Sequence, residues 1–328
     1  MESVNNKNKI ILTIIILIAV FIRFYNFDKR GLMIYDESYY MREAQFFFNI
    51  THNLDFIYSA LKNKTLSINE LKEKIEGLPP LFTPKPLHSL MLGVCTIVIG
   101  LKDYLGICYS TFFTVLTLIV LYKLSVLIFK DTCSELLSCW LFTISVYQIV
   151  FSRMNYPEVS AQFFYVLALY YFLKQKNFAN SINNFKNLKI HLFIGILLAF
   201  SVLTNYRNLW ILVLFCAIYL YFYKSDFKIL AVFFGGWIVL LIGTEIVYQI
   251  IKSYKQFPEG SYTYFEMFFK TYNKHLNPAL ETEVVNKVAS FAPHLTMFKF
   301  LIWGDGWVYT IIFILSTLII FFNFLRLD

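Results

Sequence analysis

Apolar runs alternate along the chain with short groups of lysine, arginine, asparagine and aromatic residues, and this pattern predicts helices from end to end. Runs at 10–27, 104–129, 136–151, 159–173, 190–204, 209–223, 229–251 and 307–325 each read as a membrane span. Residues 37–49 carry a shorter helical pattern, with Tyr40, Ala44 and Phe47 or Phe48 on one face and Arg42, Glu43 and Gln45 elsewhere. That suits a helix lying along the membrane surface. A second surface helix is predicted over 62–76, closed by Gly77 and the Pro79-Pro80 pair.

The run at 87–101 is short of the ~20 residues a span needs and contains Gly93 and Gly100. Its treatment decides the topology. If it crossed, Lys123 and Lys130 would fall outside. Laid in the interface, it sends 104–129 inward and collects Lys123, Lys130, Lys174, Lys176, Lys224 and Lys228 in the cytoplasm, as the positive-inside bias requires. The expected architecture is an all-α polytopic membrane protein of about eight transmembrane helices plus juxtamembrane helices on the outer face. Residues 1–328 form a single module, with outer loops at 28–103 and 252–299.

Composition agrees. The 328 residues are 58% hydrophobic and only 15% charged, with mean hydropathy +0.59, which excludes an ordinary soluble domain. A net charge of +8 would fit a nucleic-acid partner only if the basic residues formed a stripe or tail; they sit in small groups between apolar runs instead. Cys95, Cys108, Cys133, Cys139 and Cys216 lie in or beside apolar segments without a CxxC pair and read as small buried hydrophobes.

The first run follows Lys7 and Lys9 as a signal peptide would, but Arg23-Phe24-Tyr25-Asn26 offers no small-residue cleavage site. It reads as a signal anchor, with Arg23 extending its head toward the outer interface. The sequons at Asn49 and Asn63 agree with an external loop. The chain stops two residues after Arg326, which raises the expectation of a truncated copy of something longer. Heavy use of Lys, Asn, Ile and Phe hints at an AT-rich genome, and a bacterial or archaeal plasma membrane is expected in preference to the ER.

On this topology Asp36, Glu37, Lys85, His88, Arg153, Glu158 and Arg207 all come to the outer side at the mouths of spans, with Tyr40 one turn beyond the acidic doublet. Carboxylates among cations suit transfer of a group to a hydroxyl from an anionic leaving group. A carboxylate takes the acceptor proton, and lysine or arginine holds the departing phosphate. The segment 252–299, with Tyr262, Tyr264 and Phe268, is long enough to cover such a site. Plainer readings stand beside these. Asp36 would cap a helix beginning at Glu37, Lys85 would anchor at the interface, and Glu158 after Pro157 would meet a helix dipole. Trp303 and Trp307 fit an aromatic belt.

Four stretches carry a family resemblance: Asp36-Glu37-Ser38-Tyr39-Tyr40 after the first span, Lys85-Pro86-Leu87 opening a short apolar helix, Arg153 with Pro157-Glu158, and Leu203-Thr204-Asn205-Tyr206-Arg207. Together they resemble the C-type glycosyltransferases, in the branch of protein O-mannosyltransferases, lipid A aminoarabinose transferases and their bacterial relatives. The resemblance implies a polytopic enzyme using a polyprenyl-phosphate-linked sugar on the outer or lumenal face. It makes Asp36 the base or the group that orients the acceptor, and Lys85 a phosphate contact. The pattern also departs from the family: relatives often carry Lys-Pro-Pro-Leu, some have Asp where Glu158 stands, and many have lysine where Arg207 stands.

The expected activity is an inverting transfer of a sugar from a polyprenyl phosphate to a lipid, glycan or protein hydroxyl. Asp36 acts as base with Glu37 in support, Lys85, Arg153 and Arg207 hold phosphate, and Glu158, His88 and Tyr40 assist. Asp36 and Glu37 could recruit Mg²⁺ or Mn²⁺, which hard oxygen ligands suit. The alternatives are a transporter or flippase, for which Glu245 is the clearest mid-span acid, and a non-catalytic lipid-binding subunit.

Overall fold

The structure, a computed structural model, describes residues 6–27, 35–55, 58–59, 85–129, 131–177, 184–253 and 263–276. Every regular element among them is a helix: α1 (Asn6–Phe24), α2 (Tyr35–His52), α3 (Pro86–Ile99), α4 (Leu105–Phe129), α5 (Thr132–Ile144), α6 (Val146–Ser152), α7 (Pro157–Asn177), α8 (Asn184–Thr204), α9 (Leu209–Tyr223), α10 (Phe227–Ser253) and α11 (Tyr264–Leu276). A 3₁₀ turn, Tyr206–Asn208, joins α8 to α9. The helix predicted over 62–76, the sequon at Asn63, Tyr262, the Trp303 and Trp307 stretch and the last predicted span lie outside the described residues.

Among the described residues three helical stretches are long and apolar enough to cross a membrane, Leu105–Phe129, Tyr206–Tyr223 and Phe227–Ile250, or four if α5 and α6 count as one span. The described part of the chain is an all-α membrane protein, with fewer such helices than the eight predicted, of which the last, 307–325, lies outside the described residues. The shortfall has a chemical origin. Lys7, Lys9 and Arg23 share the 19 residues of α1, while Gln162, Tyr165, Tyr170 and Tyr171 dilute α7. In α8 the apolar part is only Leu188–Thr204. Trp210, Val213 and Leu214 of α9 and Val239, Ile242 and Ile246 of α10 face outward, as lipid-facing residues do. Inside α4, the hydroxyls of Thr114 and Thr117 each donate at 2.8 Å to the carbonyl four residues back, so these polar groups stay satisfied without water.

Two expectations about the first half of the chain are corrected. Arg23 does not reach out to the interface: it is fully buried, and Nη1 turns back to donate to the Ala19 carbonyl at 3.0 Å. The cause is helical spacing, since Ile15, Ala19 and Arg23 share one face, and Ile15 and Ala19 pack with Leu118, Tyr122 and Cys139. The run predicted as one span over 136–151 is two helices bent by 56° at Ser145. Ser145 accepts at Oγ from the Gln148 N–H and so starts α6 while ending α5. Of the cysteines, Cys139 is buried as expected, but Cys133 is exposed and the other three are half-buried.

Long-range contacts define two ends of the bundle. At one, Phe27 after α1 meets Tyr104 before α4, with ring centroids 5.7 Å apart. Glu37 of α2 reaches Asn155 before α7, and Arg153 reaches the Tyr25 carbonyl. At the other, Asn8 of α1 meets Thr132 of α5, and His191 of α8 meets Tyr219 and Tyr223 of α9. Helix α3 begins at the first end, where Lys85 bonds Tyr40, and is followed directly by α4, which starts at that same end. Its 14 residues extend about 21 Å, less than the hydrocarbon thickness. Gly100 makes the return with φ +79, where other residues are strained, while its N–H closes on the Thr96 carbonyl at 2.8 Å.

Candidate functional site

The acidic doublet lies in the first turn of α2, which begins at Tyr35, so Asp36 belongs to the helix and does not precede it as a cap. Its side chain lies outside the described residues. Glu37 is buried, and its Oε1 accepts from the Asn155 backbone N–H at 2.9 Å. The Asn155 segment is itself fixed. Ser110 Oγ donates to the Met154 carbonyl at 2.8 Å, and α4 comes so close that a Cβ on Gly106 would lie 2.4 Å from the Asn155 Cβ. Only glycine permits that approach. The Asn155 carboxamide is buried with neither of its polar atoms hydrogen-bonded.

Facing α2 is the first turn of α3. Lys85 Nζ donates to the Tyr40 hydroxyl and also lies 4.9 Å from the Tyr40 ring centroid. His88 is wedged between Tyr40 and Tyr109, at 4.8 and 5.2 Å between centroids, with both ring nitrogens unpaired. Burial foremost, with Lys85 adding to it, pushes His88 down to about 3, so the imidazole is neutral. Next to it Ser89 Oγ donates to Glu43 Oε2, while Glu43 Oε1 has no partner. Burial pushes the Glu43 carboxyl up to about 8, against the opposing pull of Ser89 and Lys85.

Glu43 was expected away from the Tyr40 face and instead shares it. Tyr40 and Glu43 are three residues apart, as are Lys85 and His88, so each pair occupies one face of its helix. That spacing was the available signal for Glu43 and Ser89. No sequence signal identifies Asn155, which is defined by its contact with Glu37.

A third part comes from the far side of the bundle. Arg207, in the 3₁₀ turn, lies 3.6 Å from Glu158 in the first turn of α7, and the Tyr40 phenol also acts on it electrostatically. The arginine side chain is 58% exposed, and a pair this open stabilises by less than about 1 kcal/mol. The guanidinium can therefore exchange Glu158 for a stronger anion. Asn205 shapes the turn by accepting from the Arg207 N–H at 3.2 Å. Arg153 stands apart: its Nη2 donates to the Tyr25 carbonyl at 2.7 Å, which ties α6 to the end of α1.

Helix α11, within the segment expected to cover the site, packs beside this turn, with Phe268 and Tyr206 at 5.9 Å between centroids. Thr263 and Glu266 form a reciprocal cap at its start, Glu266 Oε2 accepting from the Thr263 N–H at 2.7 Å. Glu245 of α10 accepts from the Phe265 N–H at 2.8 Å, so this acid has a structural task in holding α11. Beside Lys85, an apolar groove of about 530 Å³ opens between α2, α3 and α10, lined by Phe47, Pro86, Leu90, Leu240, Val247 and Tyr248.

Among the described residues no three His, Cys, Asp or Glu side chains gather as a metal site. One Glu37 oxygen is engaged by Asn155, and the side chain of Asp36, the other ligand expected for Mg²⁺ or Mn²⁺, lies outside the described residues. Comparison of the chain with protein-family models, with curated proteins and with solved structures gives no match in any of the three, so the site stands on its own residues and geometry.

Proposed function

We propose that the chain is a polytopic membrane glycosyltransferase that moves a sugar from a polyprenyl phosphate to a hydroxyl of a lipid, glycan or protein on the outer face. One observation carries the reading: Glu37, Lys85, Glu158 and Arg207, from four separate stretches of sequence, come together at one end of the bundle, beside an apolar groove. Carboxylates, exchangeable cations and a lipid-facing channel are the parts such a transfer needs.

In this reading Asp36 accepts the proton of the acceptor hydroxyl as its oxygen attacks the anomeric carbon. The bond from that carbon to the phosphate oxygen breaks on the opposite face, which inverts the centre. Polyprenyl phosphate leaves with the electron pair, and its charge is met by Lys85 and Arg207. The apolar groove takes the first part of the lipid tail. Glu37, fixed by Asn155, holds the start of α2 in register with the loop before α7.

The test is incubation of the purified protein in liposomes with radiolabelled polyprenyl-phosphate sugars and a crude acceptor pool. Transfer by the wild type and its loss in Asp36→Asn are expected. Donor binding without transfer in the intact protein would instead favour a carrier or a lipid-binding subunit. The topology is checked by Asp103→Cys, an exposed position between α3 and α4, which an impermeant maleimide should label from outside the cell. Labelling only after the membrane is opened would put the site on the wrong face.

A further inference from the structure

Among the described acids of the site Glu43 is the most deeply buried, and the proposed transfer does not use it. It is fully enclosed on the inner face of α2. From α3 it meets Lys85 and Ser89, with His88 next to Ser89 in the chain; from α10 it meets Tyr248; on its own helix Tyr39 and Tyr40 lie one turn before it. Lys85 is the cation acting on it, yet the two do not pair: the lysine bonds the Tyr40 hydroxyl and the carboxyl takes Ser89. A fully buried carboxylate with one oxygen unpartnered would carry an uncompensated charge. A neutral carboxylic acid would not.

We infer that Glu43 is a positioning residue that works in its protonated form: as an uncharged acid it ties α2 to α3 through Ser89 and leaves Lys85 on Tyr40, and when ionised it captures Lys85. Ser89 and Lys85 lie one turn apart on α3, and Tyr40 and Glu43 one turn apart on α2, so the lysine has both partners within the swing of its side chain. Only the Tyr40 position directs the ammonium toward the end of the bundle where Glu37 and Arg207 lie. His88 cannot replace Glu43 as the sensor, because its neutral ring offers no charge to attract the lysine. The raised position of the Glu43 carboxyl agrees with this, since burial alone is enough to keep the proton on at neutral pH.

The inference rests on the transferase reading only for its functional meaning, and its primary test needs no substrate. Reductive ¹³C-methylation keeps lysine charged and lets the Lys85 signal, assigned by its absence in Lys85→Arg, be followed from pH 6.5 to 9.5. Wild type should show an inflection near pH 8, absent from Glu43→Gln, whose amide mimics the neutral acid. In Ser89→Ala the inflection should move to higher pH, because Ser89 favours the charged carboxylate. A Lys85 signal with no inflection, or the same inflection in Glu43→Gln, overturns the inference.

A second arm separates it from the transferase reading. Affinity for geranylgeranyl phosphate should fall about tenfold for each pH unit above the midpoint in wild type and stay flat in Glu43→Gln. Equal affinity in Lys85→Ala and wild type would remove Lys85 from phosphate binding while leaving the Glu43 result intact.

Discussion

The two ends of the helix bundle use their charges in different ways. At the end that carries α2, Glu37 reaches Asn155, 118 positions away, Lys85 reaches Tyr40, and Arg207 reaches Glu158. At the opposite end Asp131 and Asp226 each serve the helix they begin. Asp131 accepts from the Ser134 N–H at 2.9 Å, and Asp226 from the N–H groups of Lys228 and Ile229, both at 3.1 Å. A capping acid is explained by one turn of its own helix and would appear wherever that helix did. An acid held by a distant strand of the chain is explained only by the assembled structure. The contrast separates carboxylates that serve local folding from carboxylates available for chemistry.

The sharpest way to break this contrast is to remove charge at both ends. Asp36→Asn removes the proposed base with little change in side-chain size, so the fold should hold while sugar transfer falls at least about a hundredfold. Asp226→Asn, also a conservative change, should leave the rate within about twofold. Equal losses, measured as initial rates in liposomes, would erase the distinction.

Next in size is a pair of glycines. Gly106→Ala forces α4 away from Asn155 and should cost about 1–3 kcal/mol of stability. Gly235→Ala meets nothing within 4 Å and should gain up to about 1 kcal/mol in α10. Thermal unfolding in detergent reads both.

Stability against pH comes third. Folding raises the Glu43 carboxyl from 4.5 to about 8, so the folded protein retains a proton that the unfolded chain releases between those values. Its contribution is complete below pH 4.5 and is lost as pH rises toward 8, by at most about 1.4 kcal/mol per pH unit. The melting temperature of Glu43→Gln should lack that slope. The smallest effect belongs to the opposite end: Asp131→Ala removes one cap and should lower the melting temperature slightly, with no change in transfer rate.

Helix positions were largely legible because apolar runs and prolines mark them, as at Pro86 and Pro157. What escaped depended on which way a residue turns. Arg23 sits at the position of an interfacial anchor, but its spacing from Ile15 and Ala19 turns it inward. Glu43 was placed with Arg42 and Gln45 away from the Tyr40 face, and the approach of α3 buries it. Glu245 resembled a transport acid until α11 arrived on it, an event 20 residues away in sequence. The doublet itself was visible as an acid pair beside a span, and its partner Asn155 was not, since backbone donors carry no signature in composition.

The break at Ser145 does more than interrupt a span. The 7 residues of α6 form a lever about 10 Å long, and its 56° tilt displaces the end of the helix sideways by about 9 Å. That sideways step delivers residues 153–155 to α1 and α2 at once. A single residue inserted into α6 would rotate the lever's tip by about 100° and withdraw both attachments together, so the length of this small helix sets the registry of the whole face.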